Sequence, residues 1–431
     1  MMSNKTKNDI AWESLFETYN ILDEINEKSL YKISAKDINK LREARLMTKF
    51  DHHIQLPSIF RQNHLTIQPD SRGTYVIGRF ESYKDLPQKQ SQSISIQAIP
   101  FPENIETLNP INIYSEASSI LCAYNAGIID DLLGQEVWFT VSGRMSTGRF
   151  SYFIKNFKEN THCEISVDNS QCEIDGGFEG DDIFAIIEAK NQDVDDFLIR
   201  QLYYPYRLWT KKTGKKVIPI FLSYSNDIFS FYIYEFRDNK DYNSIELVEQ
   251  KKYQIGSNDI ELKDVISILE RVKVSPEPLE VPFPQANVFT RVIDLLIQIY
   301  SNGLLSQEDI TTNYAFDIRQ SHYYTSAAIY LGLIESSKQQ GTIYLATERG
   351  SNIIQKTSKG RNLALVERIL EKKVFNKSLQ LYLRQGERPN LEQVIEIMKI
   401  ADIKLGSETM TRRAQTVIAW IDWIMSITQL S

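Results

Sequence analysis

The sequence predicts an α/β protein with a mixed central sheet, an N-terminal α+β region and a mainly helical C-terminal domain. Three observations predict it. Between residues 115 and 236 the apolar pattern runs helix, several strands, helix, two strands, which is the order of an α/β core with a mixed sheet. The stretch DIFAIIEAK (182–190) is apolar at odd and even positions alike, as a strand buried on both faces must be. A Pro-rich segment, SPEPLEVPFPQ (275–285), then separates this core from a part where helical spacing dominates.

Taken in order, residues 10–50 read as helical. Trp12, Leu15, Phe16, Tyr19, Leu22 and Ile25 recur near helical spacing, and Ser34 suits the cap of a second helix carrying Ile38 and Leu41. TYVIGRF (74–80) reads as a strand. Residues 84–112 contain QKQSQS and four prolines, which places a boundary near 105. SEASSILCAYNAGIIDDLLG (115–134) is a helix capped by Ser115 and weakened or stopped by Gly127 and Gly134. Short β-rich stretches follow: EVWFTVSG, RFSYFI, CEISV and CEID. After the buried strand, DVDDFLIRQLYYPYRLWT reads as an acid-first amphipathic helix with Pro205 near its end, and VIPIFLSY and IFSFYIYEF as two more strands. Residues 237–285 are polar. Beyond them come VFTRVIDLLIQIY, SQEDITTNY and SHYYTSAAIYLGLI, then a turn and short β element in GTIYLATERG; helix, helix, recognition-type helix and β-wing is a winged-helix pattern. Residues 361–428 are helical. The division is therefore 1–105, 106–240, 241–285 and 286–431.

Composition excludes several classes. The hydrophobic fraction is 42% and the charged fraction 24%, ordinary for a globular protein. No apolar run approaches the about 20 residues of a membrane span, and the polar start MMSNKTKNDIAWESLF lacks the apolar core of a secretory signal, so a cytoplasmic protein is expected. Cys122, Cys163 and Cys172 form no CxxC pair, an odd number gives no disulfide framework, and no Cys/His grouping has zinc spacing. The net charge of −7 argues mildly against a nucleic-acid partner, but its distribution matters more. Residues 164–196 hold eleven acids and one base, Lys190, whereas Arg207, Lys211, Lys212, Lys215 and Lys216 stand in a stretch without acids, and 349–373 hold seven bases and two acids. Metal-binding carboxylates set between phosphate-binding surfaces have this arrangement, although any single charge run is better explained by a solvated face.

The chemistry lies in EIDGGFEGDDIFAIIEAK. Hydrolysing a phosphodiester at neutral pH needs a divalent ion, and hard ions such as magnesium take carboxylate and carbonyl oxygens. Asp175 ends one β segment at a Gly176-Gly177 turn, and Glu188 lies on the next strand. Glu188 and Lys190, two residues apart, project from one face. Asp175 and Glu188 would share the Mg2+ with the carbonyl of Ala189, and Lys190 would hold and help deprotonate the attacking water. Glu173, on the same strand face as Asp175, is a further ligand candidate; Glu179, Asp181 and Asp182 read as solvated loop acids.

These residues resemble the PD-(D/E)xK nuclease signature, with Ile174-Asp175 in place of Pro-Asp and Glu188-Ala189-Lys190 as the E-x-K. The resemblance implies a restriction-endonuclease-like core and a carboxylate from the preceding helix, for which Glu116 is the matching position. More widely the chain resembles type II restriction endonucleases with a helical C-terminal domain, in LREARLMTKFDHHIQLP (41–57), SGRMSTGRFSYFI (142–154), FDIRQSHYYTSAAIYLGLI (316–334) and TMTRRAQTVIAWIDWI (409–424). It implies Mg2+-dependent cleavage of double-stranded DNA at a short sequence, a homodimer for a palindromic site, and a cognate DNA methyltransferase as genetic partner. Two other functions fit the pattern: a non-catalytic winged-helix DNA-binding regulator, and a repair or recombination nuclease of the same superfamily.

Read from the residues, several side chains suit DNA. Arg42, Arg45 and Lys49 are spaced to make one helix face basic. Arg144 and Arg149 bracket a Ser/Gly loop before the metal strands. Arg319, Gln320, Tyr323 and Tyr324, with His322, cluster where a recognition helix would begin; Arg and Gln read guanine and adenine edges, and Tyr contacts phosphates or stacks. Core packing explains Trp420 and Trp423 better, and explains Tyr323 and Tyr324 equally well.

Overall fold

The computed structural model describes residues 5–87, 94–111, 113–158, 161–256, 260–278, 280–314, 316, 318–338 and 341–428. The QKQSQS stretch lies outside the described residues. The N-terminal part starts with a capping box: Thr6 accepts from the Asp9 amide and the Asp9 carboxylate accepts from the Thr6 amide, which starts α1 (Lys7–Thr18). Asn20, at φ 49°, turns the chain into α2 (Ile21–Lys28). The expected helix over 10–50 ends there. Ser29 takes φ 66°, and β1 (Leu30–Ser34) pairs antiparallel with β3 (Thr74–Gly78), whose other neighbour is β2 (Thr66–Pro69). Ser34 does cap the short α3 (Ala35–Ile38), through the Asp37 amide. After it come α4 (Ala44–Thr48) and α5 (Ser58–Gln62). Trp12, Phe16 and Phe60 pack edge-on at the centre of this part, and the Trp12 indole donates to the Met47 carbonyl at 2.8 Å. The expected basic helix face is not formed. With only five residues in α4, Arg42 lies before it and Lys49 beyond it in extended backbone.

The middle of the chain is a mixed α/β layer structure. Its elements are β4 (Tyr83–Asp85), β5 (Ile96–Ile99), α6 (Glu116–Asn125), α7 (Ile128–Leu133), β6 (Trp138–Ser146), β7 (Arg149–Lys155), β8 (His162–Asp168), β9 (Gln171–Glu179), β10 (Ile183–Lys190), β11 (Asp196–Leu198), α8 (Arg200–Lys212), β12 (Lys216–Ser225), β13 (Ile228–Phe236), β14 (Ile245–Ile255) and α9 (Leu262–Arg271). Seven strands form one sheet in the order β5-β14-β13-β12-β10-β9-β6. The β10–β12 and β14–β5 pairs are parallel and the others antiparallel. Every residue of β10 is buried, as its unbroken apolar run requires. Ile120, Ile128 and Leu132 of α6 and α7 cover one face, against Ala185, Ile187 and Ile220. Helix α8 covers the other, with Trp209 over Phe184 at 4.7 Å. Ser115 caps α6 through the Ser118 amide, and Gly127 and Gly134, at φ 76° and 70°, separate and end the two helices.

Three local expectations are corrected here. The stretch DVDDFLI is not helical: Asp196–Leu198 pairs with β4, the helix begins at Arg200, and Pro205 lies inside it. Gly176 and Gly177 are not a turn but continue β9 to Glu179, paired with Ile187 and Ile186; glycine suits the close packing, since a Cβ on Gly176 would stand 2.9 Å from the Phe178 ring and one on Gly177 3.0 Å from Val141 and Phe184. The polar 237–285 region contributes a sheet strand, β14, and the helix α9.

The C-terminal part runs α10 (Phe289–Asn302), β15 (Leu305–Ser306), α11 (Gln307–Asn313), α12 (Ile318–Tyr330), β16 (Ile334–Ser337) and β17 (Ile343–Ala346). The strands pair as β15-β17-β16; three helices followed by a hairpin are as expected, but the hairpin begins earlier, at Ile334, and β15 joins it as an unexpected third strand. Helices α13 (Glu348–Ile354), α14 (Ser358–Leu370), α15 (Lys373–Gln385), α16 (Leu391–Ile400) and α17 (Ser407–Ser426) complete it, with Trp420 and Trp423 in its core. The Pro-rich segment does not leave this part loosely attached. Phe283 and Ala286 are buried in its core. Across the junction, Asp294 accepts from the Asp193 amide and Ser225, Arg291 pairs with Asp195 at 2.8 Å, and the buried Arg361 pairs with Asp227. Among the described residues no helix is long and apolar enough to cross a membrane.

Candidate active site

Strands β9 and β10 are hydrogen-bonded from Glu179/Phe184 to Gly176/Ile187 and then separate. Asp175 and Glu188 therefore stand at the point where the two strands splay, and a cleft of about 560 Å³ opens there. Alternation along β9 sends Cys172 and Ile174 into the core and leaves Gln171, Glu173 and Asp175 on the cleft side. Alternation along β10 brings Glu188 and Lys190 to the same cleft, both buried.

The Ala189 amide donates to Asp175 Oδ2 at 2.8 Å and fixes that carboxylate. Lys190 Nζ donates to Glu188 Oε1 at 2.6 Å and lies 3.7 Å from Glu116 Oε1 and 3.8 Å from Asp51 Oδ2. Gln201, on α8, also donates to Glu188 Oε1. Four carboxylates thus surround one lysine. Burial, with the neighbouring Glu116 charge and against the pull of Lys190, raises the Asp175 carboxyl to about 6. Burial, and then Asp175, push Glu188 well above the usual range. Burial alone would lower Lys190, but the carboxylates of Glu188, Glu116, Asp51 and Asp175 together hold its proton more tightly than in water. In the metal-free site the surrounding carboxylates favour the protonated form of Lys190.

The site is short of positive charge, and carboxylate oxygens are the donors that a hard divalent cation takes. Among the described residues no three His, Cys, Asp or Glu side chains are grouped closely enough to hold a metal by themselves. Asp175 and Glu188 fit an ion that keeps several waters, as magnesium does.

Of the other predicted residues, Glu116, Arg45, Lys49 and Arg144 line the cleft. Glu173 lines it too, paired with Arg144 at 3.2 Å. Arg149 is held by Asp168 at 2.8 Å on β7, away from the lining. The bracket it forms with Arg144 is a strand bend at Thr147 and Gly148 between β6 and β7. Arg42 pairs with Glu308 of α11, beside a second cavity of about 400 Å³ between the N- and C-terminal parts. Arg319 borders that second cavity and donates to the Tyr323 hydroxyl at 2.7 Å; Gln320 follows it on α12. Tyr324 is corrected: it is buried against Phe316 at 4.9 Å and belongs to the core.

The sequence reading missed Asp51, Arg72, Arg200 and Gln201. Asp51 reaches the cleft because its carbonyl accepts from the Leu198 amide and His52 Nδ1 contacts Asp196, both long-range pairings. Gln201 had a signal, since it opens the helix after the E-x-K strand.

Residues 9–77 match the domain of unknown function DUF6996, residues 78–254 the domain of unknown function DUF6997, and residues 291–429 the domain of unknown function DUF7226. The Asp175, Glu188 and Lys190 set falls in the middle segment, and Asp51 and Arg45 in the first. No curated protein and no solved structure matches the chain.

Proposed function

We propose that this protein is a magnesium-dependent endonuclease that cuts double-stranded DNA at a short specific sequence, in the manner of type II restriction endonucleases. The observation that carries it is the convergence of Asp175, Glu188 and Lys190 where β9 and β10 splay, in a cleft that Arg45, Arg72, Arg144 and Arg200 also line. A helix–strands–helix–strand core with these residues at its open end supports a restriction-endonuclease-like fold, and the helix and hairpin order of 289–346 supports a winged helix.

In this reading Asp175 and Glu188 hold the ion, with the Ala189 carbonyl as third protein ligand. Bound there, magnesium would stabilise the charge that builds on the phosphate and lower the pKa of a water. The Ala189 amide keeps Asp175 oriented, and Gln201 does the same for Glu188. Lys190, beside Glu188, would hold the attacking water and help deprotonate it, the proton passing on to solvent. Glu116 stands beside Lys190 at the mouth of the cleft, and Arg45 and Lys49 contact the backbone of the duplex. A palindromic site would be met by two chains about a twofold axis, and a methyltransferase of the same specificity would protect the host DNA. The test is incubation of purified protein with supercoiled plasmid and magnesium. Discrete fragments that vanish with Asp175→Ala support the reading; cutting by Asp175→Ala at the parent rate overturns it.

A further inference from the structure

Apart from Arg319, which donates to the Tyr323 hydroxyl beside the second cavity, the arginines predicted to meet DNA and those around the cleft fall into two sets. Arg42, Arg144 and Arg149 are each neutralised by a carboxylate, from Glu308, Glu173 and Asp168. Arg45, Arg72 and Arg200 line the cleft and make no ion pair within 4.0 Å among the described residues, although the Asp51 carboxylate is near enough to feel the Arg200 charge. Arg200 is the most constrained of the three. Its Nε is buried with no hydrogen-bond partner, and its guanidinium lies 5.8 Å from the centre of the Tyr204 ring. It is also the first residue of α8, whose N-terminus has no side-chain cap and no acid in its first turn. A helix dipole disfavours a cation there, and a buried donor without an acceptor is costly. An anion bound beside Arg200 offsets the first of these.

We propose that Arg200, Arg45 and Arg72 form a clamp for the phosphodiester backbone of the strand that enters the cleft, an assignment that rests on the reading of the protein as a DNA-cutting enzyme. Arg200 holds the phosphate nearest Glu188 and Lys190, because Gln201, the next residue of α8, already donates to Glu188. Arg45 on α4 and Arg72 between β2 and β3 take the neighbouring phosphates from the N-terminal part. A chain of phosphates fits better than one small anion, since the three side chains come from separate elements along the cleft. The planar fork of arginine suits two oxygens of one phosphate.

The test reads binding, not cutting. Anisotropy of a short fluorescein-labelled duplex is followed against salt concentration in the Lys190→Ala protein with calcium. Adding Arg200→Ala should lower the salt slope by about one and weaken binding to unrelated sequences alike. Arg200→Lys should restore the slope, because the charge returns. The exposed pair Arg45→Ala/Arg72→Ala should remove about two further units of slope, which keeps the test open should Arg200→Ala unfold. An unchanged slope in the folded Arg200→Ala protein, or in the double variant, overturns the clamp. Wild-type protein that shows the clamp slopes yet cuts no DNA overturns the nuclease reading and leaves the clamp standing. Cutting with unchanged slopes overturns the clamp alone.

Discussion

Replacing Asp175 by asparagine should make the metal-free protein more stable while removing its chemistry. The Asp175 carboxyl is raised from 3.8 to about 6, first by burial and then by the charge of Glu116, against the opposing pull of Lys190. An unfolded chain releases this proton near 3.8 and the folded chain near 6, so folding stability falls as pH rises between those values and stays low above 6. At about 1.4 kcal/mol per pKa unit the full penalty approaches about 3 kcal/mol. Solvent at the cleft mouth screens part of it. Asparagine keeps an oxygen for the Ala189 amide and carries no charge, so Asp175→Asn should gain about 1–3 kcal/mol at pH 7. Urea unfolding in EDTA measures this, at pH 7 and again below pH 3.8, where the advantage should vanish because both states hold the proton. Magnesium should then stabilise the wild type and not the variant, as a ligand of the folded state does. A variant less stable than wild type at pH 7 would refute the claim that burial and charge repulsion strain this carboxylate.

Further outcomes follow from other contacts. Lys190→Ala should abolish cutting and leave DNA affinity in calcium within a few-fold, measured by anisotropy, because it disrupts the metal site and not the DNA contacts. Arg361→Ala leaves Asp227 buried without its charge partner, and loss of one member of such a pair costs about 3–5 kcal/mol; a melting curve unchanged from wild type would contradict the junction described here. Gly350→Ala puts a Cβ 2.0 Å from the Leu333 carbonyl oxygen, so a loss of about 1–3 kcal/mol in chemical denaturation is expected, with the cleft residues untouched. Arg42→Ala should leave the salt slope of DNA binding unchanged and cost under about 1 kcal/mol, since Arg42 serves an ion pair with Glu308.

Part of the fold and of the site was legible because local patterns carry it. IFAIIEAK announces a doubly buried strand by its apolar run, and two charges at its end, two residues apart, announce a site on one face. Ser115, Gly127 and Gly134 mark helix ends by their own backbone chemistry. What stayed hidden depends on partners distant in sequence. Strands β1 and β11 are short and take their form from β3 and β4. Asp51 becomes part of the cleft only through Leu198 and Asp196. Gly176-Gly177 has the composition of a turn but serves close packing against Phe178, Val141 and Phe184, which composition alone does not distinguish. Tyr324 and Tyr323 are neighbours on one helix, yet the core takes the first, and the second meets Arg319.

The central claim is that Asp175, Glu188 and Lys190 hydrolyse DNA at a defined sequence. The most direct measurement is digestion of a plasmid of known sequence by wild-type and Lys190→Ala protein, with magnesium and then with EDTA, followed by sequencing of every new end. Ends that share one short sequence, produced only by the wild type and only with magnesium, are predicted. Equal cutting by Lys190→Ala, ends scattered without a common sequence, or an intact plasmid in every lane would contradict it.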